Sequence, residues 1–382
     1  MLYYLHNLTE FWGPFRIFEY ISVRAVIAAL IALLFGAFFA PKILARLRDK
    51  IQPERDEKLM GEIANKRKVP TMGGLIIAVS VAAGTLLAAR PNVYVFATLV
   101  VYIGMSLVGF WDDWKKITRA SSDGISEKAK WIGLTLAAAL GYGVLIFKSG
   151  PRMNIFELWL PIMKRPLVAF SDAVISSNDL SLLGVFAFVA IVFFFFWVVC
   201  VGTSNAVNLT DGLDGLAAGC TIPCATVLGA VSYLAGHKMW AAYLNIGYIP
   251  GVGELLVFCV ALIAGTLVFL WYNCEPAEVY MGDVGALGLG GALGAVAVLS
   301  GHPILLLISG GVFVAEAGST IIQRVYFKIT KRIFGEGRRV FTMTPIHHTW
   351  QKRGVKNPKI VVRFWMISLV FAVVALATLK LR

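Results

Sequence analysis

The stretch "LLGVFAFVAIVFFFFWVVCV", residues 182–201, contains no charged side chain. Its length matches the roughly 20 apolar residues that an α-helix needs to cross the hydrocarbon core of a bilayer. An outer-membrane barrel would show short strands of alternating polarity instead of such an unbroken run. The rest of the 382-residue chain agrees, with 58% hydrophobic residues, 15% charged residues and a mean hydropathy of +0.76, outside the usual range of soluble domains. Ten segments qualify as spans, at approximately 21–40, 72–89, 93–111, 131–147, 181–201, 213–235, 254–272, 284–300, 303–323 and 361–379. The expected fold is therefore all-α, a polytopic membrane bundle of about ten helices forming one domain over residues 1–382.

The N-terminal "MLYYLHNLTEFWGPFRIFEY" lacks a basic n-region, a short apolar core and a small-residue cleavage site, so no removable signal peptide is expected. Its aromatic residues suit a membrane interface. Cys200, Cys220, Cys224, Cys259 and Cys274 fall in or beside predicted spans and read as packing residues rather than disulfides or thiolate ligands.

With ten spans, the connections after the odd-numbered ones share a side. Residues 41–71, 112–130 and 324–363 hold nine, five and eleven Lys/Arg, or 25 of the chain's 35. Because basic residues are retained in the cytoplasm, those connections are predicted to be cytoplasmic and both termini external. The net charge of +13 then reflects this asymmetry and attraction to anionic headgroups, or alternatively a basic surface that recruits a polyphosphate substrate, with no call for nucleic acid.

The same side collects the polar motifs: "KRKVPTMGG" (66–74), "GFWDDWKK" (109–116), "NAVNLTDGLDG" (205–215), "YNCEPAEVYMGDVG" (272–285) and "FTMTPIHHTWQKRG" (341–354). The longest connection on the opposite side, about 150–180, has no acid or His cluster and reads as an external loop with a hairpin. Five motifs at one surface are expected to form one site, from loops near 41–71, 112–130, 202–214, 273–284 and 324–360. Asp112 and Asp113 close a long apolar helix, where acids oppose the negative end of the helix dipole. A function or neutralisation by Lys115 and Lys116 accounts for them. Asn208, Asp211 and Asp214 recur every three residues and share a face if the segment is helical. Gly212 and Gly215 leave room for a ligand to approach. The alternative is that Thr210 or Asp211 caps the next helix. Asp283 sits between small residues at the start of a glycine-rich span, whose glycines read as close helix packing.

Carboxylates on loops, without Cys or regular His spacing, favour Mg²⁺ or Mn²⁺ over zinc. His347 and His348 are adjacent, a poor geometry for two ligands on one ion, and read as phosphate contacts or an acid/base group. No P-loop lysine, nucleophile elbow or dinucleotide fingerprint is present, which counts against hydrolase and oxidoreductase chemistry.

The motifs "PTMGG", "DDWKK", "NAVNLTDGLDGLA", "VYMGDVGALGLGGALG", "PIHH" and the terminal "VVRFWMISLV" resemble those of the polyprenyl-phosphate N-acetylhexosamine-1-phosphate transferases, over almost the whole chain. "PTMGG", "PIHH" and "VRFW" are similar to the muramoyl-peptide branch. The resemblance implies transfer of phospho-MurNAc-pentapeptide from UDP-MurNAc-pentapeptide to undecaprenyl phosphate, giving lipid I and UMP, with Mg²⁺, in a bacterial plasma membrane. It also suggests a homodimer. It implies Asp283 as the first metal ligand and Asp211 as the next. Asp112 and Asp113 would handle the polyprenyl phosphate as base, orienting group or further metal contact. Lys66, Thr71, Asn208, Asp214 and Asn273 would meet the uridine, ribose or diphosphate, and His347 and His348 the phosphates or the muramoyl peptide.

Three departures stand out: Thr349 replaces a usual third histidine, "KRIFGEGRR" is longer than usual, and Tyr280 stands where Phe is common. Glu316 matches a glutamate expected in the family. An acid inside a membrane span points to function or to a hydrogen bond within the bundle. The rival readings are transfer of GlcNAc-1-phosphate to the same lipid, a secondary transporter and a membrane scaffold. Direct attack by the lipid phosphate and a route through an aspartyl phosphoenzyme both stay open.

Overall fold

The computed structural model describes residues 1–48, 69–119, 123–149, 159 and 182–380. Lys66, most of the 41–71 loop and nearly all of the expected 150–180 loop lie outside the described residues. The helices are α1 (Ile21–Leu47), α2 (Gly74–Ala88), α3 (Val93–Thr118), α4 (Glu127–Ser149), α5 (Leu182–Thr210), α6 (Leu216–Ala235), α7 (Lys238–Leu244), α8 (Leu255–Asn273), α9 (Gly282–Leu299), α10 (Pro303–Ser309), α11 (Gly311–Phe334), α12 (Ile346–Lys352) and α13 (Asn357–Thr378). Eight of the described helices are long and apolar enough to cross a membrane. The chain is an all-α, multi-pass membrane protein.

The core is built around α9, in which every residue from Val284 to Leu299 is buried. It packs mainly between α3 and α5. The reason lies in its glycines: a Cβ at Gly290 would stand 2.5 Å from Ser204 Cα, and one at Gly294 would stand 2.7 Å from Cys200 Cα. Two backbones can approach this closely only where side chains are missing, and in a bilayer such van der Waals packing replaces the hydrophobic effect as the force between helices. By contrast Phe186, Ile191 and Phe194 on α5 are exposed, as lipid-facing residues should be.

Three expected boundaries differ. The span expected at 303–323 is broken at Gly310, where α10 and α11 bend by 85°. Gly310 has φ −91° and ψ 22°, and a side chain there would crowd the Leu306 carbonyl, so the backbone turns where the hydropathy continues. The span expected at 72–89 is a helix of only 15 residues. Finally, α3 runs through Asp112 and Asp113 to Thr118, and α5 runs through Asn208 to Thr210, so these groups sit on helices rather than on loops.

At the end of the bundle away from those acids, the Arg24 guanidinium donates to both carboxylate oxygens of Glu254, at 2.6 Å for Nη2–Oε1. The Arg90 N–H donates to Glu254 as well, at 2.9 Å. This buried, multiply bonded pair ties α1 and the start of α3 to the start of α8. Met1 and Lys380 also lie at this end, the first bonded to the Leu86 and Leu87 carbonyls and the second over the Tyr243 ring.

Candidate active site

The termini of α3, α4, α5, α8 and α9 converge at the other end. Asp112, Asp113 and Asp283 each present a carboxylate oxygen there, all within 4.8 Å of one another. Two glycines make the approach possible. Gly109 lies flush against α9, since a Cβ would stand 2.1 Å from the Asp283 carbonyl oxygen. Gly282 has φ +71°, a conformation that favours glycine, and a side chain there would strike Asp113 Oδ2 and Thr71 Oγ1. The "PTMGG" segment is held beside it by backbone pairing, with Gly73 N–H donating to the Tyr280 carbonyl (2.8 Å) and Gly74 N–H to that of Met281 (2.9 Å). Thr71 is buried there.

Two lysines compensate the three acids. Lys130 Nζ lies 2.7 Å from Asp283 Oδ2. Lys116 Nζ lies 2.6 Å from Asp112 Oδ2, 3.4 Å from Asp283 Oδ2 and 3.6 Å from Asp113 Oδ1. Backbone and amide donors fix the remaining oxygens: Ile125 N–H to Asp112 Oδ1 (2.8 Å), Val284 N–H to Asp113 Oδ2 (3.2 Å) and Asn208 Nδ2 to Asp283 Oδ1 (3.0 Å). Asp283 occupies the first turn of α9, where the dipole favours a carboxylate. Asp112 and Asp113 lie near the wrong end of α3 for that effect, and Lys116 offsets it.

The turn between α5 and α6 carries Asp211 and Asp214. Asp211 is half-buried, and its carboxyl is pushed up to about 7 by burial and by the negative charges of Asp283 and Asp214. Asp214 Oδ2 accepts from Ala277 N–H at 3.1 Å. No side chain caps α6: Thr210 Oγ1 donates back to the Ala206 carbonyl, and the capping position is Gly215 at φ +76°. Gly215 is gripped from two sides, its N–H donating to Asn273 Oδ1 (2.9 Å) and its carbonyl accepting from Trp365 Nε1 (3.0 Å). Asn273 Nδ2 meanwhile donates to the Val279 carbonyl, so this amide holds two loops together. On α12, His347 is buried against Gly212 and paired with Glu316, whereas His348 is half-buried and bonded to Gln351 at 2.7 Å. Thr349 holds the Met343 backbone through its hydroxyl.

The structure thus brings the described candidates to one end, with Asp112, Asp113 and Asp283 as the tightest group and Asp211 beside rather than within it. Sequence reasoning overlooked Lys130. A lysine four residues into α4 opposes the positive end of that helix, the mirror image of the signal read at Asp112 and Asp113. It also set Lys116 only against the two acids of its own helix.

Residues 95–301, which carry these acids and lysines, match the profile of glycosyl transferase family 4. The chain is 44% identical to the phospho-N-acetylmuramoyl-pentapeptide-transferase of Opitutus terrae and 42% identical to that of Dinoroseobacter shibae, in each case over 100% of both chains. It belongs to the phospho-N-acetylmuramoyl-pentapeptide-transferase family.

Proposed function

We propose that the chain transfers phospho-MurNAc-pentapeptide from UDP-MurNAc-pentapeptide to undecaprenyl phosphate, producing lipid I and UMP. The reading rests above all on the Asp112–Asp113–Asp283 cluster between Lys116 and Lys130, in a chain that matches transferases of that name from end to end. Residues 1–382 act as one membrane-embedded domain. The site faces the cytoplasm of a bacterial plasma membrane, and both termini face outward. The charge asymmetry supports this orientation, as do the positions of Met1 and Lys380 at the end away from the acids.

The donor set fits Mg²⁺, which takes oxygen ligands from one or two carboxylates together with substrate phosphates. Asp113 Oδ1 is buried with no hydrogen-bond partner among the described residues and only the Lys116 ammonium at 3.6 Å, which leaves this oxygen free to ligate a metal ion. Asp112, Asp113 and Asp283 would hold the ion, and when bound it supplies charge neutralisation between two anionic reactants. Lys130 and Lys116 attract the diphosphate and limit repulsion among the acids. Asn208 fixes the Asp283 carboxylate through Oδ1. Asp211, Asp214, Thr71 and His348 line the approach for the nucleotide, with Lys66 on the loop that precedes "PTMGG".

The test is UMP release by the purified protein in detergent with undecaprenyl phosphate and Mg²⁺. UDP-MurNAc-pentapeptide and UDP-GlcNAc are offered in parallel. Release with the muramoyl peptide alone is expected, and release with UDP-GlcNAc alone would move the chain to the sibling reaction.

A further inference from the structure

Glu316 lies on α11 just after the 85° break, and its side chain has 0% exposure. A carboxylate in such a place is costly unless something receives it. His347 is that partner: its Nδ1 lies 3.1 Å from Glu316 Oε2, and its side chain is equally buried. Glu316 is further steadied by its own helix, since Ser319 Oγ and Thr320 Oγ1 both donate to its backbone carbonyl.

The far side of the imidazole shows what this pair does. His347 Nε2 has no hydrogen-bond partner among the described residues, and it lies so near Gly212 that a Cβ there would stand only 2.2 Å from it. Gly212 immediately follows Asp211 in the turn that carries the site's second group of acids. The ring also lies against that of His348, tilted by 55° with 4.1 Å between centroids. The chain of contacts runs from Glu316 through His347 to Gly212, linking the broken span to the Asp211 turn.

We infer that Glu316 is a positioning residue for the transfer reaction. It accepts a hydrogen bond from the Nδ1–H of His347, fixes the ring with Nε2 against Gly212, and thereby sets where the Asp211 turn stands relative to Asp283. This inference rests on the transferase reading for its kinetic part and on the contacts alone for its structural part. Such second partners of a histidine decide both its tautomer and its orientation. Because the Asp211 turn also lines the approach for the nucleotide, the dyad is expected to act first on turnover and only secondarily on substrate affinity.

The test combines kinetics with the histidine ¹⁵N spectrum of the full-length protein in nanodiscs, where the chain's five histidines keep the signals few. Glu316→Ala and His347→Ala are each expected to lower kcat by about tenfold or more, with KM for the nucleotide sugar changed by less than about threefold. The double variant should be no slower than the worse single one, because the two residues act as a unit. Glu316→Gln keeps the shape and an accepting oxygen, and should restore most of the Glu316→Ala loss. The His347 signal, assigned by its disappearance in His347→Ala, should report a protonated Nδ1 in the parent and shift in Glu316→Ala.

Multiplying losses in the double variant, or an unchanged His347 signal without Glu316, would overturn the inference. Absence of UMP release from the parent protein would instead remove the transferase reading, while the spectra would still decide whether Glu316 governs the ring.

Discussion

Lys130 Nζ and Asp283 Oδ2 lie 2.7 Å apart, joining the first turn of α4 to the first turn of α9. The lysine holds an oxygen that a divalent cation would also claim. Replacing it with methionine keeps much of the volume and removes the competing charge. Lys130→Met should therefore bind Mn²⁺ a few-fold more tightly in an EPR titration, yet release UMP about tenfold more slowly because the diphosphate loses a cation.

The acids should differ from every neighbour in severity. Asp283→Asn and Asp113→Asn each remove a charge from the three-carboxylate group. Each should lower Mg²⁺-dependent UMP release by about 10³-fold. Thermal unfolding of each variant in detergent should stay near that of the parent, and full activity in a folded variant would break the site assignment.

Asp211 is expected to make cation binding depend on pH. Its carboxyl is held up to about 7 by burial and by Asp283 and Asp214, so at pH 6 it is mostly protonated. A cation at the neighbouring acids favours the ionised form, so binding there expels a proton. Above pH 8 that proton has already gone. Calorimetric Mg²⁺ titrations in buffers of different ionisation enthalpy should show proton release at pH 6 that shrinks at pH 8.5. Asp211→Asn should lose this component, and its turnover should fall by about 10²-fold or more.

Gly290→Ala should weaken the bundle without touching the chemistry. Its Cβ would stand 2.5 Å from Ser204 Cα, so α5 must retreat from α9. A loss of about 1–3 kcal/mol is expected, read as a lower midpoint of thermal inactivation with kcat preserved at low temperature.

The spans were legible because hydrocarbon demands long apolar runs, and that requirement leaves an unambiguous mark at residues such as Leu182–Val201. The break at Gly310 was not, since glycine is tolerated within membrane helices and hydropathy averages smoothly across it. Asp112, Asp113, Asn208, Asp211, Asp214 and Asp283 could be marked as candidates one motif at a time. Which of them meet could not be. The grouping of Asp113 with Asp283 depends on how closely α3 approaches α9 at Gly109 and on the left-handed turn at Gly282, both three-dimensional facts. The pairing of Lys130 with Asp283 spans more than 150 residues of chain, and that of Glu316 with His347 depends on the bend after α10. Asn273 stood out as a ligand contact, and the fold gives its amide to Gly215 and Val279.

The shortness of α2 sets a depth. Fifteen residues of helix measure about 22 Å, some 8 Å less than a hydrocarbon core about 30 Å thick. Of the residues that introduce this helix, Thr71 is packed against the Asp113–Gly282 corner and Gly73 against Phe269 and Tyr280, while α3 continues six residues past Asp112. The floor of the site is thus sunk beneath the rim made by the longer helices. In the proposed reaction, a lipid phosphate would reach it without being lifted far from its own leaflet, and the water-soluble partner would be the one that has to descend.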